Sequence, residues 1–453
     1  MPRSPSPRPV EAVPLRHAVR TWWSVGWQTF GGPAAQIAVM QREFVDERQW
    51  IGQRRFLHAL SYCMLLPGPE AMQLATYLGW LLHGTRGALL AGSFFVLPGV
   101  VVMLALSAVY VTSADTAAVQ WVLAGLSAAV LAIVVQAVLR VGGRSLHHPS
   151  LVVLAVVSFV AMALLDVPFP LVVVGAALAG LVLALVWPVV AAPPDDETNG
   201  RPALLDDASL HTERGSVSRA ARITAAALAL WVVPMGAAWL LFGLDSTIVE
   251  QALFFSFVAL ITVGGAYAVL SYVSENAVDA GWVTPVDMVR GLALAETTPG
   301  PLIMVVQFVA FVGAWNSPGD VDPWVAAIAA ALLTSWVTFL PSFWFILVGA
   351  PYVERLRGSR RLAAALTGVT AAVVGVIATL ALLFAGTTLF TDLDSVGLGP
   401  IDLTLPDWST LRWAAVAVAA VAGVLVLGLR WPVLRVLAVA GTLGLLLGLA
   451  GAW

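Results

Sequence analysis

Apolar stretches too long and too poor in charge for a water-soluble domain recur along this chain: Ala88–Tyr110, Val119–Leu139, Val167–Val190, Gln251–Tyr272, Trp324–Tyr352 and Leu362–Phe390. Each reaches, or nearly reaches, the ~20 residues a helix needs to cross the hydrocarbon core of a bilayer. They lack the apolar–polar alternation of barrel strands, so they read as helices. Only 11% of the 453 residues are charged, against about 25% in a soluble domain. The fold class is therefore an all-α integral membrane protein.

The net charge of −3 says little about partners, because the placement of charge matters more than its sum. A single cysteine, Cys63, excludes an internal disulfide and thiolate metal clusters. No metal site or cofactor is expected. Residues 1–20 are rich in proline and arginine and carry no apolar signal-peptide core, so they read as a cytoplasmic tail. HExxH, GxSxG, Walker A and CxxC signatures are absent, which points away from an enzyme and names no catalytic residue. Nothing points to a nucleic-acid partner.

The sequence contains itself twice. "FGGPAAQIAVM" at Phe30 is echoed by "VGGAYAVLSYV" at Val263, and "LLPGPEAM" at Leu65 by "TTPGPLIM" at Thr297. Gly32 precedes Pro67 by 35 residues, and Gly265 precedes Pro299 by 34. Leu97-Pro98 then matches Leu340-Pro341, and "AGLSAAV" at Ala124 matches "TGVTAAV" at Thr367, both at an offset of 243. An ordered series of matches indicates duplication. The first repeat occupies residues 21–190. A polar, mixed-charge linker follows at 191–220, and residues 221–453 hold an extra apolar segment, Ile223–Leu244, before the second repeat.

Arginines cluster at Arg140/Arg144, in the linker, at Arg355–Arg361 and at Arg430/Arg435, while acidic loops free of arginine alternate with them. The positive-inside rule puts the arginine clusters in the cytoplasm, with only Arg412 against it. On this assignment the segment from Ala88 enters from inside and its partner from Trp324 enters from outside. The repeats are thus expected to be inverted in topology, as in many secondary transporters. The Gly-Gly and Pro-Gly-Pro segments break the pattern unless they are re-entrant hairpins. The loop "REFVDERQWIGQRRF" would otherwise face outward with its arginines, and the acidic "SENAVDAGWVTPVD" inward. Kinked spans and re-entrant hairpins are both open at this point.

Broken helices at membrane depth are tolerated where they line a cavity or are buried in protein. Their free N–H groups and positive dipole ends form anion sites. Gly31-Gly32-Pro33, Pro67-Gly68-Pro69, Gly264-Gly265 and Pro299-Gly300-Pro301 are four such breaks, expected to meet near the midplane around a small anion. Glu70 and Glu296 flank the two Pro-Gly-Pro breaks, where each would move protons, gate, or cap a half-helix. Gln36, Gln73, Thr297, Thr298 and Gln307 are candidate hydrogen-bonding partners, equally suited to interhelical bonds. Arg42, Arg86 and Arg290 stand near segment ends, where they would attract anions at the mouths or simply obey the topology rule.

"TFGGPAAQIAVMQREFV", "LLPGPEAMQLATYLGW", "GTRGALLAGSFFVLPG", "VGGAYAVL" and "GLALAETTPGP" together resemble the chromate transporter family in its long two-domain form. Gln36 departs from that pattern, standing where a histidine is expected, and Ala266 stands where a third glycine is expected. The resemblance implies chromate efflux in a bacterial plasma membrane, with proton exchange as coupling. It also leaves open uptake of sulfate or a related oxyanion, a homodimer, and a non-transporting sensor or scaffold on the same fold.

Overall fold

The computed structural model describes residues 13–64, 66–187, 215–263, 265–352, 360–398 and 401–453. Most of the N-terminal tail and of the 191–220 linker, together with Gly264, Arg355 and Arg357, lies outside these residues. The described chain is helical throughout except for one β-hairpin, β1 (Leu393–Leu398) with β2 (Ile401–Pro406), paired antiparallel. Among the described residues, six helices are long and apolar enough to cross a membrane. Leucine and valine side chains on their outer faces, such as Val101, Leu171, Val182 and Leu240, stay exposed, as expected where lipid replaces water as solvent.

In the first half, α1 (Leu15–Gln28) and α2 (Gly32–Gln41) meet at the first Gly-Gly, and α2 runs on into a π-helix, Arg42–Glu47. Helices α3 (Gln53–Cys63) and α4 (Glu70–Ser113) flank the first Pro-Gly-Pro. His83 and Gly84 leave helical geometry and divide α4 into a short arm, 70–82, and a long arm, 85–113. The arms run antiparallel: a Cβ on Gly79 would lie 2.4 Å from Gly87 O, and one on Gly92 2.5 Å from Thr76 Oγ1. Long helices α5 (Ala117–Ser145), α6 (Pro149–Leu165) and α7 (Phe169–Val186) complete this half.

The second half opens with the extra helix α8 (Val217–Phe242) and then repeats the order. Helices α9 (Thr247–Ile261) and α10 (Ala266–Asp279) meet at the second Gly-Gly. The apolar run Gln251–Tyr272 is therefore two helices, because Gly265 adopts φ +99° and ends one before the other begins. Helices α11 (Pro285–Thr297) and α12 (Val305–Asn316) flank the second Pro-Gly-Pro. Then come α13 (Pro323–Gly349), α14 (Arg360–Leu389), the β-hairpin, α15 (Trp413–Gly423) with a π-helical extension, and α16 (Val433–Leu449).

The broken segments fold back on themselves. Trp22 and Phe44, either side of the first Gly-Gly, have ring centroids 4.3 Å apart. Tyr62 and Tyr77, either side of the first Pro-Gly-Pro, are 5.5 Å apart. In the second half, Phe254 meets Tyr272 at 5.7 Å across the Gly-Gly, and a Cβ on Gly291 would touch Phe308 across the Pro-Gly-Pro. The two Pro-Gly-Pro hairpins approach opposite ends of the long α4 arm. The first returns to His83, whose ring nitrogen lies 2.7 Å from Val13 O at the start of α1. The second starts beside Tyr110, whose hydroxyl donates to Asp287 and accepts from Arg290 Nη1 at 3.3 Å.

The halves also exchange their long helices. Helix α5 packs on α15 and α16 of the other half, and α14 packs on α6 and α7. Both crossings rest on glycine pairs: a Cβ on Gly444 would lie 2.3 Å from Trp121 O and 2.9 Å from Gly125 Cα, and one on Gly368 2.2 Å from Ala176 O and 2.8 Å from Gly180 Cα. Small residues let membrane helices approach closely enough for dispersion to hold them. Gly444→Leu is expected to separate α16 from α5 and lower stability by about 1–3 kcal/mol or more. The thermal midpoint of the detergent-solubilised protein should fall accordingly.

Candidate functional site

Proline and glycine dictate the geometry of the breaks. Pro67, Pro69, Pro299 and Pro301 have no N–H to continue a helix. The glycine between each pair takes a positive φ, +118° at Gly68 and +95° at Gly300, which an L side chain rarely adopts. That turn points the glycine N–H away from its own helix and toward the other half of the molecule. Gly68 N–H donates to Thr262 O at 2.7 Å, and Gly300 N–H donates to Thr29 O at 2.8 Å. Thr29 and Thr262 are the matching residues just before each Gly-Gly. Each Pro-Gly-Pro of one half is thus tied to the Gly-Gly of the other, and the four breaks form one cluster.

The cluster sits against the two proline-containing long helices. A Cβ on Gly99, beside Pro98 of α4, would lie 2.7 Å from Pro299 O. On the other side, a Cβ on Gly68 would lie 2.7 Å from Ser342 Oγ, beside Pro341 of α13. Gly31, Gly32 and Pro33 open α2, and Gly265 caps α10. Four helical segments therefore begin here: α2, α4, α10 and the 3₁₀ turn Leu302–Met304 that leads into α12. Helix starts carry unpaired N–H groups and a partial positive charge, so together they favour an anion.

Side chains complete the cluster unevenly. Gln36 is buried and donates from Nε2 to Gly300 O at 2.6 Å, tying α2 to the opposite break. Gln73 donates to Pro67 O at 2.6 Å and leaves its Oε1 buried without a protein partner. Glu70 is the first residue of α4, and a Cβ on Gly265 would lie 3.4 Å from its Oε1. It thus stands at the starts of both α4 and α10, where a carboxylate meets the positive ends of two helices. Glu296 is different. It lies in the last turn of α11, is 2% exposed, accepts a hydrogen bond from Tyr267, and leaves Oε2 unpartnered. The charge of Arg140, on α5, reaches both Tyr267 and Glu296.

Other sequence candidates point elsewhere. Thr297 and Thr298 both donate to Leu294 O of their own helix, at 2.7 and 2.8 Å. Gln307 donates to Val100 O at 3.0 Å and accepts from Ser335, an interhelical bond between α12, α4 and α13. Arg42 is exposed and engages Gln28 and Glu47. Arg86 is exposed at the start of the long α4 arm, and Arg290 is held by Tyr110. Gly264 lies outside the described residues. Among the described residues no group of three or more His, Cys, Asp or Glu is placed to hold a metal ion.

Tyr267, Ser342, Thr29 and Thr262 escape sequence reasoning. The two threonines act through backbone carbonyls, which any residue would supply, although their recurrence before each Gly-Gly is visible in the repeat. Tyr267 stands where the first repeat has Ala34, so repeat matching discards it. Gln36→Leu keeps the volume and removes the donor to Gly300 O. Leaving that buried carbonyl unpaired is expected to cost about 1–3 kcal/mol, seen as a lowered thermal midpoint.

Sequence comparison decides the family. The family described as "Chromate transporter" matches residues 17–181 and 249–445, which take in all four breaks. This chain belongs to the chromate transporter family. A chromate transport protein of Pseudomonas aeruginosa is 35% identical over 361 residues, covering 78% of this chain and 76% of the relative. A chromate transport protein of Cupriavidus metallidurans is 28% identical, covering 80% of each chain. A probable chromate transport protein of Synechococcus elongatus is 24% identical over 91% of this chain and 96% of its own. No solved structure matches the chain. Within this chromate transporter family member, α8 and the polar linker lie outside both matched segments.

Proposed function

We propose that this multi-pass membrane protein exports chromate across a bacterial plasma membrane in exchange for protons. On this reading residues 21–190 and 221–453 hold two inverted-topology repeats, and their four breaks surround the dianion near the midplane. The observation that carries the reading is the reciprocal pair of hydrogen bonds, Gly68 to Thr262 and Gly300 to Thr29, which joins the breaks of both halves into one cluster. The approach of the two Pro-Gly-Pro hairpins to opposite ends of α4 supports the inversion. Helix starts supply N–H groups to the oxyanion, and sulfate, of the same shape and charge, is expected to compete.

Glu296 supplies the coupling. A buried carboxylate at the negative end of α11, held by one tyrosine hydroxyl with its second oxygen unpartnered, is placed to take up a proton and release it as the dianion comes and goes. Tyr267 holds one oxygen and leaves the other buried without a partner. Inside-out vesicles test the proposal: they should accumulate chromate when a pH gradient is imposed and lose it when the gradient is collapsed. Accumulation that ignores the gradient refutes proton exchange, and no accumulation refutes export.

A further inference from the structure

Three buried hydroxyls without a hydrogen-bond partner line up along α13. Thr334, Thr338 and Ser342 are at most 5% exposed, and no protein group hydrogen-bonds the hydroxyl oxygen of any of them. Threonine and serine in helices usually turn back onto the carbonyl four residues earlier, as Ser335 does on this same helix at 2.9 Å. Buried polar atoms with no partner are rare, and each calls for a reason. Their spacing of four residues puts all three on one face, rising about 12 Å along the helix from the level of the breaks.

The lower end of the row is the cluster itself. Ser342 Oγ and Gln73 Nε2 each lie 2.7 Å from where a Cβ on Gly68 would be, and Gln73 Oε1 is a further unpartnered atom there. The row then runs toward the start of α13, which follows the acidic loop with Asp320 and Asp322. Gln251, on α9, is completely buried with neither amide atom partnered, and α9 packs along α13. The other half carries no counterpart. Aligned on the shared Leu-Pro pair, the positions on α4 are Ala91, Phe95 and Gly99, which offer no hydroxyl.

We infer that the Thr334–Thr338–Ser342 face of α13 is the wall of the substrate's path between the break cluster and the outer surface, its hydroxyls passing a tetrahedral oxyanion and its water along by hydrogen bonds. The path rests on the proposed transport of an oxyanion but is a separate claim about where the oxyanion travels. It also makes the route one-sided: the row belongs to the second half alone, and the matching face of α4 is apolar.

Single cysteines in a Cys63→Ala background test it. Chromate flux of the Cys63→Ala parent is measured first, so that a failure of the transport reading shows there and not in the labelling. Thr334→Cys, Thr338→Cys and Ser342→Cys should each react with a charged, membrane-impermeant methanethiosulfonate added from outside, and chromate should slow the reaction. Ala91→Cys should not react. Thr338→Val, which removes the hydroxyl and keeps the shape, should reduce flux about ten-fold without lowering the thermal midpoint, the loss of one hydrogen bond to a charged group. The path is overturned if the three cysteines stay unreactive, react only from the inner face, or react at rates chromate does not alter in a parent that transports it. Unchanged flux in Thr338→Val also overturns it.

Discussion

Alanine at Gly68 or at Gly300 is expected to cut chromate transport about 100-fold, the scale on which a displacement of ~1 Å in a positioned site costs activity. Both positions hold positive φ, where a side chain adds about 1–3 kcal/mol of strain. At Gly68 the new Cβ would lie 2.7 Å from both Gln73 Nε2 and Ser342 Oγ, and at Gly300 it would lie 3.2 Å from Phe95 O. Either loop must shift, and the shift breaks its bond to the other half. Flux per folded protein in reconstituted vesicles measures the loss. Gly143→Ala, where a Cβ meets nothing within 4 Å, should transport normally.

The two acidic residues are expected to separate cleanly. Glu296→Gln keeps the shape and removes the proton site, so chromate–chromate exchange should persist while accumulation driven by a pH gradient disappears. Tyr267→Phe, which takes the hydrogen bond from Glu296, should weaken the same accumulation. Glu70→Gln should retain gradient-driven transport and lose only about 0.3–1 kcal/mol of stability, the worth of a charge at a helix start. Flux under an imposed gradient, compared with exchange at equal pH, distinguishes the variants. Loss of coupling in Glu70→Gln together with normal coupling in Glu296→Gln would reverse the assignment made from their surroundings.

Much of the architecture was legible because the repeat is written in residues with strong backbone consequences. Gly-Gly and Pro-Gly-Pro recur in order, and each marks a true break. The charge pattern left kinked spans and hairpins open, and pairs such as Trp22 with Phe44 show the segments folding back. The turn at His83-Gly84 falls in the polar stretch 83–87 just before the apolar run from Ala88, so the sequence already separates the two arms of α4 there. The β-hairpin in the acidic loop after α14 was missed because hydropathy reading searches for helices.

The site was legible in its backbone and less so in its side chains. Glu70 and Glu296 flank matching breaks, one just after its Pro-Gly-Pro and the other just before, and sequence alone leaves both open to proton coupling or capping. They differ because one begins a helix and the other ends one, and because Tyr267 faces only the latter. The arginines singled out near segment ends sit beside glutamate, glutamine or tyrosine, or are exposed, away from the breaks. Arg140, read from sequence only as a topology marker, is the guanidinium whose charge reaches Glu296.

The claim that both halves build a single oxyanion site is tested most directly by chromate binding to the purified protein, with sulfate as competitor. The account predicts one chromate per chain, displaced by sulfate, and lost equally in Gly68→Ala and Gly300→Ala although those residues belong to different halves. Two independent chromates per chain, or binding that survives in either variant, would contradict it.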